Sequence, residues 1–270
     1  EYIPFPQDSD PINFQELSNQ IFSLTNRSDN SMTFPQICQL FAEKIKKAIG
    51  FDKVLIYQFK DDGSGKVVAE AREEEMDQYM NFHFPKSDIP TQVKELYLKN
   101  PLRYIYDSRK DPVPIVPNIN PMTQKPLDLS FSLLKGVVPV HRDYVNNMRI
   151  RTSLSYAVKV RGKLWGLISC HHRDPKFLSR DNLMALAHFA CLMSNECSLH
   201  EFQELSLAQK QYDALSDAIK FMTNESKDIH ESFLEHADTL LNIANATGAA
   251  IYFEGSLTKN VSRKGIRTRV

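Results

Sequence analysis

The sequence predicts an α+β fold, on three observations. Two hairpin patterns carry turn residues at their tips. Helical periodicity marks the stretches before and between them. A long helical pattern then begins at Asp181 and meets no Gly or Pro before Phe221.

In chain order, Ile12–Leu24 reads as a short amphipathic helix. Phe34–Ile49 reads as a second, with Ile37, Leu40, Phe41, Ile45 and Ile49 near helical spacing and Gly50 as its stop. Lys53–Phe59 (KVLIYQF) reads as a strand, Asp61-Asp62-Gly63-Ser64-Gly65 as a turn and Lys66–Arg72 as the return strand. The stretch from Glu73 to Val137 is less regular. It holds a helix over Thr91–Lys99, then a segment with Pro112, Pro114, Pro117, Pro121 and Pro126. A loop this long inside a compact domain is usually functional or disordered, and its place between well-patterned elements points to a lid or wrapping loop. His141–Met148 reads as a helix, and Leu154–Arg161 with Lys163–His171 as a second hairpin around Arg161-Gly162. The pattern from Asp181 runs to at least Phe202 and continues through Phe221, long enough to leave one domain and serve as a lever or dimer seam. There is an internal echo. Ile45–Phe59 reads helix, Gly50, strand, and Leu240–Phe253 reads helix, Gly248, strand. A second unit of similar design therefore begins near Asp228, with too few residues after it to close a sheet. The tail from Ser262 is basic and poor in apolar residues.

Bulk properties exclude several classes. The 33 basic and 33 acidic residues cancel, so no chain-wide field favours nucleic acid or anionic membrane. No apolar run reaches membrane-spanning length, and the acidic, Pro-containing opening is not a signal peptide. The four cysteines, Cys38, Cys170, Cys191 and Cys197, show no C-x-x-C pair and read as small buried hydrophobes. Cytoplasm is the default compartment.

Three clusters carry chemistry. In Phe84-Pro85-Lys86-Ser87-Asp88-Ile89-Pro90, two prolines stiffen the backbone around an aspartate, which suits holding its carboxylate and carbonyl in fixed directions. The same residues fit an ordinary helix N-cap. In Pro139-Val140-His141-Arg142-Asp143-Tyr144, His141 and Tyr144 share a helix face, with a structural histidine as the plainer reading. Strand alternation puts Ser153 and Ser155 on one sheet face, near Cys170-His171-His172 across the hairpin. Those groups suit an anion, or are simply exposed strand polar groups.

The order and wording of these clusters are more specific. Ser-Asp-Ile-Pro, then Pro-x-His-x-x-Tyr-x-x-Asn-Met, then Ser-Leu-Ser, then Leu-Trp-Gly-Leu-Ile-Ser-Cys-His-His resembles the GAF domain of phytochromes, bacteriophytochromes in particular. The flanks Gly50-Phe51-Asp52-Lys53-Val54, Tyr57-Gln58-Phe59 and Gly65–Arg72 are similar too, and the likeness runs from about Pro35 to Glu201. It implies a central antiparallel sheet flanked by helices, then a long linker helix and the beginning of a PHY domain. The implied boundaries are 1–26 for a segment following a PAS domain, 27–200 for the GAF domain, 201–227 for the linker helix and 228–270 for the start of PHY.

The family binds a linear tetrapyrrole, and light isomerises the double bond leading to its D ring. The resemblance implies that Asp88, with Ile89 and Pro90, offers a backbone carbonyl to the pyrrole N–H groups and a carboxylate that changes partner. It implies that His141 lies beside the pyrroles and helps hold or move their proton. Tyr57, Phe84 and Tyr144 match the D-ring aromatics, and His171 the histidine at the D-ring carbonyl. Arg103, Ser153, Ser155 and Tyr97 match propionate-binding positions, where Arg gives bidentate contact. Lys135 falls where bacterial members carry a second Arg, so weaker or rearranged anchoring is expected there. Arg149 replaces the family's Gly after Asn-Met.

Two departures concern attachment. Plant and many cyanobacterial members link the pigment through a Cys directly before the histidine, and that residue here is Val140. Bacterial members use a Cys upstream of the PAS domain, a region this sequence does not include. Biliverdin held non-covalently is therefore the expected cofactor. A homodimer through the long helix and a downstream output such as a histidine kinase are the implied partners. A degenerate GAF-type interaction module without pigment is the alternative. A metal hydrolase using Cys170, His171, His172 and Asp174 is disfavoured, because adjacent strand histidines point to opposite faces.

Overall fold

The computed structural model describes residues 32–132 and 136–225, together with 19, 238, 241, 246, 248–253 and 256–262. The helix expected over Ile12–Leu24, Lys135, most of the helix expected before Gly248 and the tail beyond Ser262 lie outside the described residues. The chain divides into two compact units, residues 1–198 and 199–270.

Helix α1 (Phe34–Ile49) starts where Gln36 reaches back to accept the Thr33 N–H at 2.7 Å, with Pro35 in the first turn. It ends at Gly50, whose φ of 62° is left-handed and whose N–H donates to the Lys46 carbonyl at 2.9 Å. Strands β1 (Lys53–Phe59) and β2 (Gly65–Arg72) form the first hairpin, followed by β3 (His83–Phe84), α2 (Thr91–Lys99), β4 (Leu102–Ile105), α3 (Pro139–Asn147), β5 (Thr152–Val160) and β6 (Lys163–His172). Helix α4 spans Arg180–Glu225. The strands form one antiparallel six-stranded sheet in the order β3-β2-β1-β6-β5-β4.

Alternation along these strands sorts side chains onto two faces. Val54, Ile56, Ala69, Leu154, Val158, Ile168 and Cys170 point to one side. There they pack with Phe41 and Ile45 of α1 and with Leu186, Phe189 and Met193 of α4. Leu55, Tyr57, Val67, Ala157 and Leu167 point to the other, against Tyr97 of α2 and the half-buried Phe84 and Ile89. The first face is a dry core. The second carries the polar groups described below.

Both hairpins, the helix over Thr91–Lys99 and the long helix match the sequence pattern to within a few residues. Strands β3 and β4 were not foreseen. β3 is two residues long and pairs only with Gly65 and Lys66, while β4 is four residues that follow Pro101, too short for alternation to register. In the second unit, β7 (Gly248–Phe253) is the strand expected after Gly248, and β8 (Ser256–Ser262) pairs with it antiparallel.

Arg149 has a φ of 57°, a left-handed conformation that costs a side chain with a Cβ roughly 1–2 kcal/mol. Arg149 is exposed, so little packing opposes its removal. Arg149→Gly should stabilise the fold by about 1 kcal/mol, read as a higher urea midpoint at unchanged slope.

Candidate functional site

Strand register assembles the floor. One row across the sheet is Lys53, His171, Ser153 and Ile105; the next is Leu55, Ser169, Ser155 and Arg103; in a third, Tyr57 stands beside Leu167 and Ala157. Residues two apart share a face, so Ser153, Ser155, His171 and Arg103 point the same way; the sequence pattern implies this for the two serines. Tyr97 enters from α2. Its hydroxyl shares a 2.6 Å hydrogen bond with Ser155 Oγ, and its ring centroid lies 5.0 Å from the Arg103 guanidinium carbon. That cation–π contact holds the guanidinium without using its N–H groups. Arg103 Nε and Nη2 are buried and have no hydrogen-bond partner among the described residues, and neither has His171 Nδ1. His171 Nε2 is 3.0 Å from Ser169 Oγ.

The walls come from two irregular stretches. Helix α3 begins at Pro139, which needs no N–H there, and presents His141 and Tyr144 from successive turns with ring centroids 6.2 Å apart. Both side chains reach solvent. The opposite wall is the Phe84–Pro90 turn, closed by the Asp88 N–H donating to the Pro85 carbonyl at 3.1 Å. Asp88 is exposed, and the α2 N-cap is Pro90, so the aspartate does not cap that helix. The N-cap alternative is thereby corrected: with Pro90 at the cap, Asp88 sits two residues too early. Phe84 and Tyr57 stand 5.8 Å apart, and Tyr57 packs edge-on to Phe59 at 5.3 Å.

The electrostatics show how tightly these groups converge. Burial raises the Tyr57 hydroxyl to about 12, helped by Asp88 and Tyr144, and Tyr144 is raised by burial and by Asp88 and Tyr79. Desolvation holds His141 below the ordinary histidine value, with Arg103 adding to it. Burial, then Lys53, then His141 push His171 down to about 3. His171 therefore folds neutral. Its folded value lies below its unfolded one, so the unfolded chain binds more protons on acidification, and the stability it contributes is lost as pH falls below about 6.5. His172 is lowered as well and works in the same direction. Urea midpoints measured from pH 7.5 to pH 5 should fall, with a limiting slope of about 1.4 kcal/mol per pH unit from His171. His171→Gln should flatten that slope; an unchanged slope would count against a neutral buried imidazole.

Of the residues singled out from sequence, only Lys135 lies outside the described residues. Lys53, Ser169 and Tyr79 were not singled out. Counting back by twos from Tyr57 places Lys53 on the site face, and counting back from His171 places Ser169 there. Tyr79 comes from a loop, and no periodicity announces it. None of the cysteines is among the cleft residues. Cys38, Cys170 and Cys197 lie in the dry core, where burial raises Cys38 to about 12 and raises Cys170 strongly, and Cys191 is exposed on α4. Cys170 and His171 thus point to opposite faces, and His172 Nδ1 stands 3.0 Å from Asp52. Among the described residues no group of three or more His, Cys, Asp or Glu side chains is placed to hold a metal ion. Nor is any helix there long and apolar enough to cross a membrane.

A sheet face that carries the cations of Arg103 and Lys53 and nitrogens without partners among the described residues, beside aromatic rings and an imidazole, suits a flat ligand with anionic substituents. Comparison with known proteins agrees with this geometry. The model of the GAF domain family matches residues 33–196. The chain belongs to the GAF domain family.

The relatives of this GAF domain are phytochromes and bacteriophytochromes. It is 37% identical over 225 residues to cyanobacterial phytochrome B of Nostoc sp., covering 83% of this chain and 30% of that protein. It is 41% identical over 152 residues to a bacteriophytochrome of Pseudomonas aeruginosa, covering 56% of this chain and 21% of that one. The chain thus spans a third or less of the length of these relatives. Among solved structures it is similar to the chromophore-binding domain of an unusual bacteriophytochrome, RpBphP3, from R. palustris. The TM-score there is 0.66 at 37% identity, with 70% of this chain and 62% of that one covered. The bacteriophytochrome RpBphP3 itself gives a TM-score of 0.80 at 30% identity, with 96% and 52% covered.

Proposed function

We propose that this GAF domain is a photoreceptor module that binds biliverdin, a linear tetrapyrrole, and senses red and far-red light. The observation that carries this reading is the set of buried nitrogens on one sheet face, Arg103 Nε and Nη2 and His171 Nδ1, that have no hydrogen-bond partner among the described residues, with aromatic rings beside them. A buried donor without an acceptor costs roughly 1–3 kcal/mol, and a ligand carboxylate or carbonyl at these atoms would remove that cost. The phytochrome and bacteriophytochrome relatives support the same reading.

In this account Arg103, Ser153 and Ser155 bind propionate oxygens. Tyr97 braces both the guanidinium and Ser155. His171 meets the D-ring carbonyl. Tyr57, Phe84 and Tyr144 shape the D-ring space, and the phenol hydroxyls exchange hydrogen-bond partners. Asp88, held by Ile89 and Pro90, gives its backbone carbonyl to the pyrrole N–H groups. His141, already easily deprotonated in the apoprotein, takes or returns a pyrrole proton. Lys135 adds charge near a propionate. The bilin supplies light absorption and the isomerisable double bond.

Valine at position 140 and the placement of all four cysteines away from the site residues support non-covalent binding in this chain. Residues 27–200 act as the sensor, 201–227 as a linker helix and 228–270 as the start of a PHY domain, with an output such as a histidine kinase downstream. The reading without pigment, an interaction module, draws on the exposed Phe202, Leu205, Leu207 and Tyr212 of α4. A homodimer through that helix fits either reading.

Asp88→Ala and His141→Ala test the proposal. Both residues reach solvent, so both variants should keep the wild-type melting curve. Loaded with biliverdin, each should lose most of the red-minus-dark difference spectrum. Full photocycles in both variants would remove these roles.

A further inference from the structure

Lys53 opens β1 and is 1% exposed, a buried charge on the face that carries the site. A buried ammonium forfeits hydration worth several kcal/mol unless other groups replace it. Here the replacements are neutral. Its Nζ donates to the Asp77 carbonyl at 2.5 Å and stands 3.9 Å from the Tyr79 ring centroid. Among the described residues no carboxylate oxygen pairs with it. Glu70, the carboxylate on β2, accepts from the backbone N–H groups of Tyr79 and Met80 at 2.8–3.1 Å. Lys53 also lies directly across the β1–β6 ladder from His171.

We propose that Lys53 is a positioning residue of the site: its buried ammonium, directly across the ladder from His171, keeps that imidazole in the neutral form, so that Nδ1, the nitrogen not engaged by Ser169, is left to meet a polar group entering the site. The use of that imidazole rests on the function proposed above; the charge coupling itself does not. The groups facing His171 are consistent with it. Lys53 of β1 pairs with His171 across the ladder, the charge of His141 on α3 opposes its protonation, and Ser153 of β5 and Ser169 of β6 are uncharged. The charge of Arg103 on β4 opposes protonation of His141. Around Lys53 itself, Glu70 and Asp77 favour its charge and Arg72 opposes it. Burial alone would also resist protonation of His171, so the charge effect must be separated from packing.

The separating experiment uses the full chain without pigment. Long-range 1H–15N spectra report the protonation of His171 between pH 4 and pH 8 in the wild type, Lys53→Met, Lys53→Gln and Lys53→Arg. The wild-type imidazole should remain neutral throughout. Lys53→Met should raise its proton affinity at least about tenfold, bringing the titration into range. Lys53→Gln, which keeps a donor toward the Asp77 carbonyl, should do the same, and it carries the test if the Met variant does not fold. Lys53→Arg should behave as the wild type. An imidazole that stays neutral in both uncharged variants overturns the proposal, as does one that titrates equally in Lys53→Arg. Because no pigment is present, failure here is distinct from failure to bind biliverdin.

Discussion

Arg103→Ala should weaken biliverdin binding by roughly 10–100-fold, the loss expected when a charge-assisted contact worth about 1.5–3 kcal/mol disappears from a desolvated site. The argument is local. Arg103 reaches the floor from β4, opposite Ser155 of β5, and Tyr97 holds its guanidinium in place. With Nε and Nη2 buried and without a partner among the described residues, and the guanidinium held by Tyr97, the side chain is already oriented, so little ordering entropy is lost when a carboxylate arrives. Arg103→Lys keeps the charge but not the planar fork, and should fall between wild type and Ala. Absorbance titration at constant salt gives the three affinities. Equal affinities in all three would mean that the propionates lie elsewhere.

The second large effect concerns two glycines that press on Tyr57 from neighbouring strands. A Cβ built on Gly65 would stand 1.8 Å from the Tyr57 hydroxyl oxygen and 1.9 Å from Cζ. A Cβ on Gly166 would stand 2.1 Å from the Tyr57 carbonyl oxygen. The two differ in what can yield. A ring can swing aside, at the expense of its contacts with Phe59 and Phe84. A ladder carbonyl cannot move without opening the β1–β6 pairing. Overpacking costs about 1–3 kcal/mol, so Gly65→Ala should fold with a modest loss and a displaced Tyr57, and Gly166→Ala should reach or exceed the upper limit. For a chain of this size about 2–4 °C of melting temperature corresponds to each kcal/mol. Gly166→Ala melting above Gly65→Ala would contradict this order. In the Gly65 variant the pigment band, rather than stability, should show the larger change.

Much of this was legible in the sequence, for identifiable reasons. Turn residues at Asp61–Gly65 and Arg161-Gly162 fix both hairpins, and uninterrupted helical spacing marks α4. The serine and histidine positions follow from alternation once β5 and β6 are paired. Their chemistry follows only from resemblance, since Ser, His and Asp at these spacings also fit caps and exposed strand residues. What was missed has physical causes. Strands β3 and β4 exist because long partners recruit them, and their own sequences are too short to signal it. Lys53 reads only as the first residue of a strand. Only the fold brings the Asp77 carbonyl and the Tyr79 ring to its ammonium.

The most direct measurement is a biliverdin titration of the chain followed by alternating red light and darkness. A red absorption band should saturate near one pigment per chain, shift reversibly on illumination, and leave with the pigment on denaturation. A folded domain that shows no such band at saturating biliverdin would contradict the photoreceptor account.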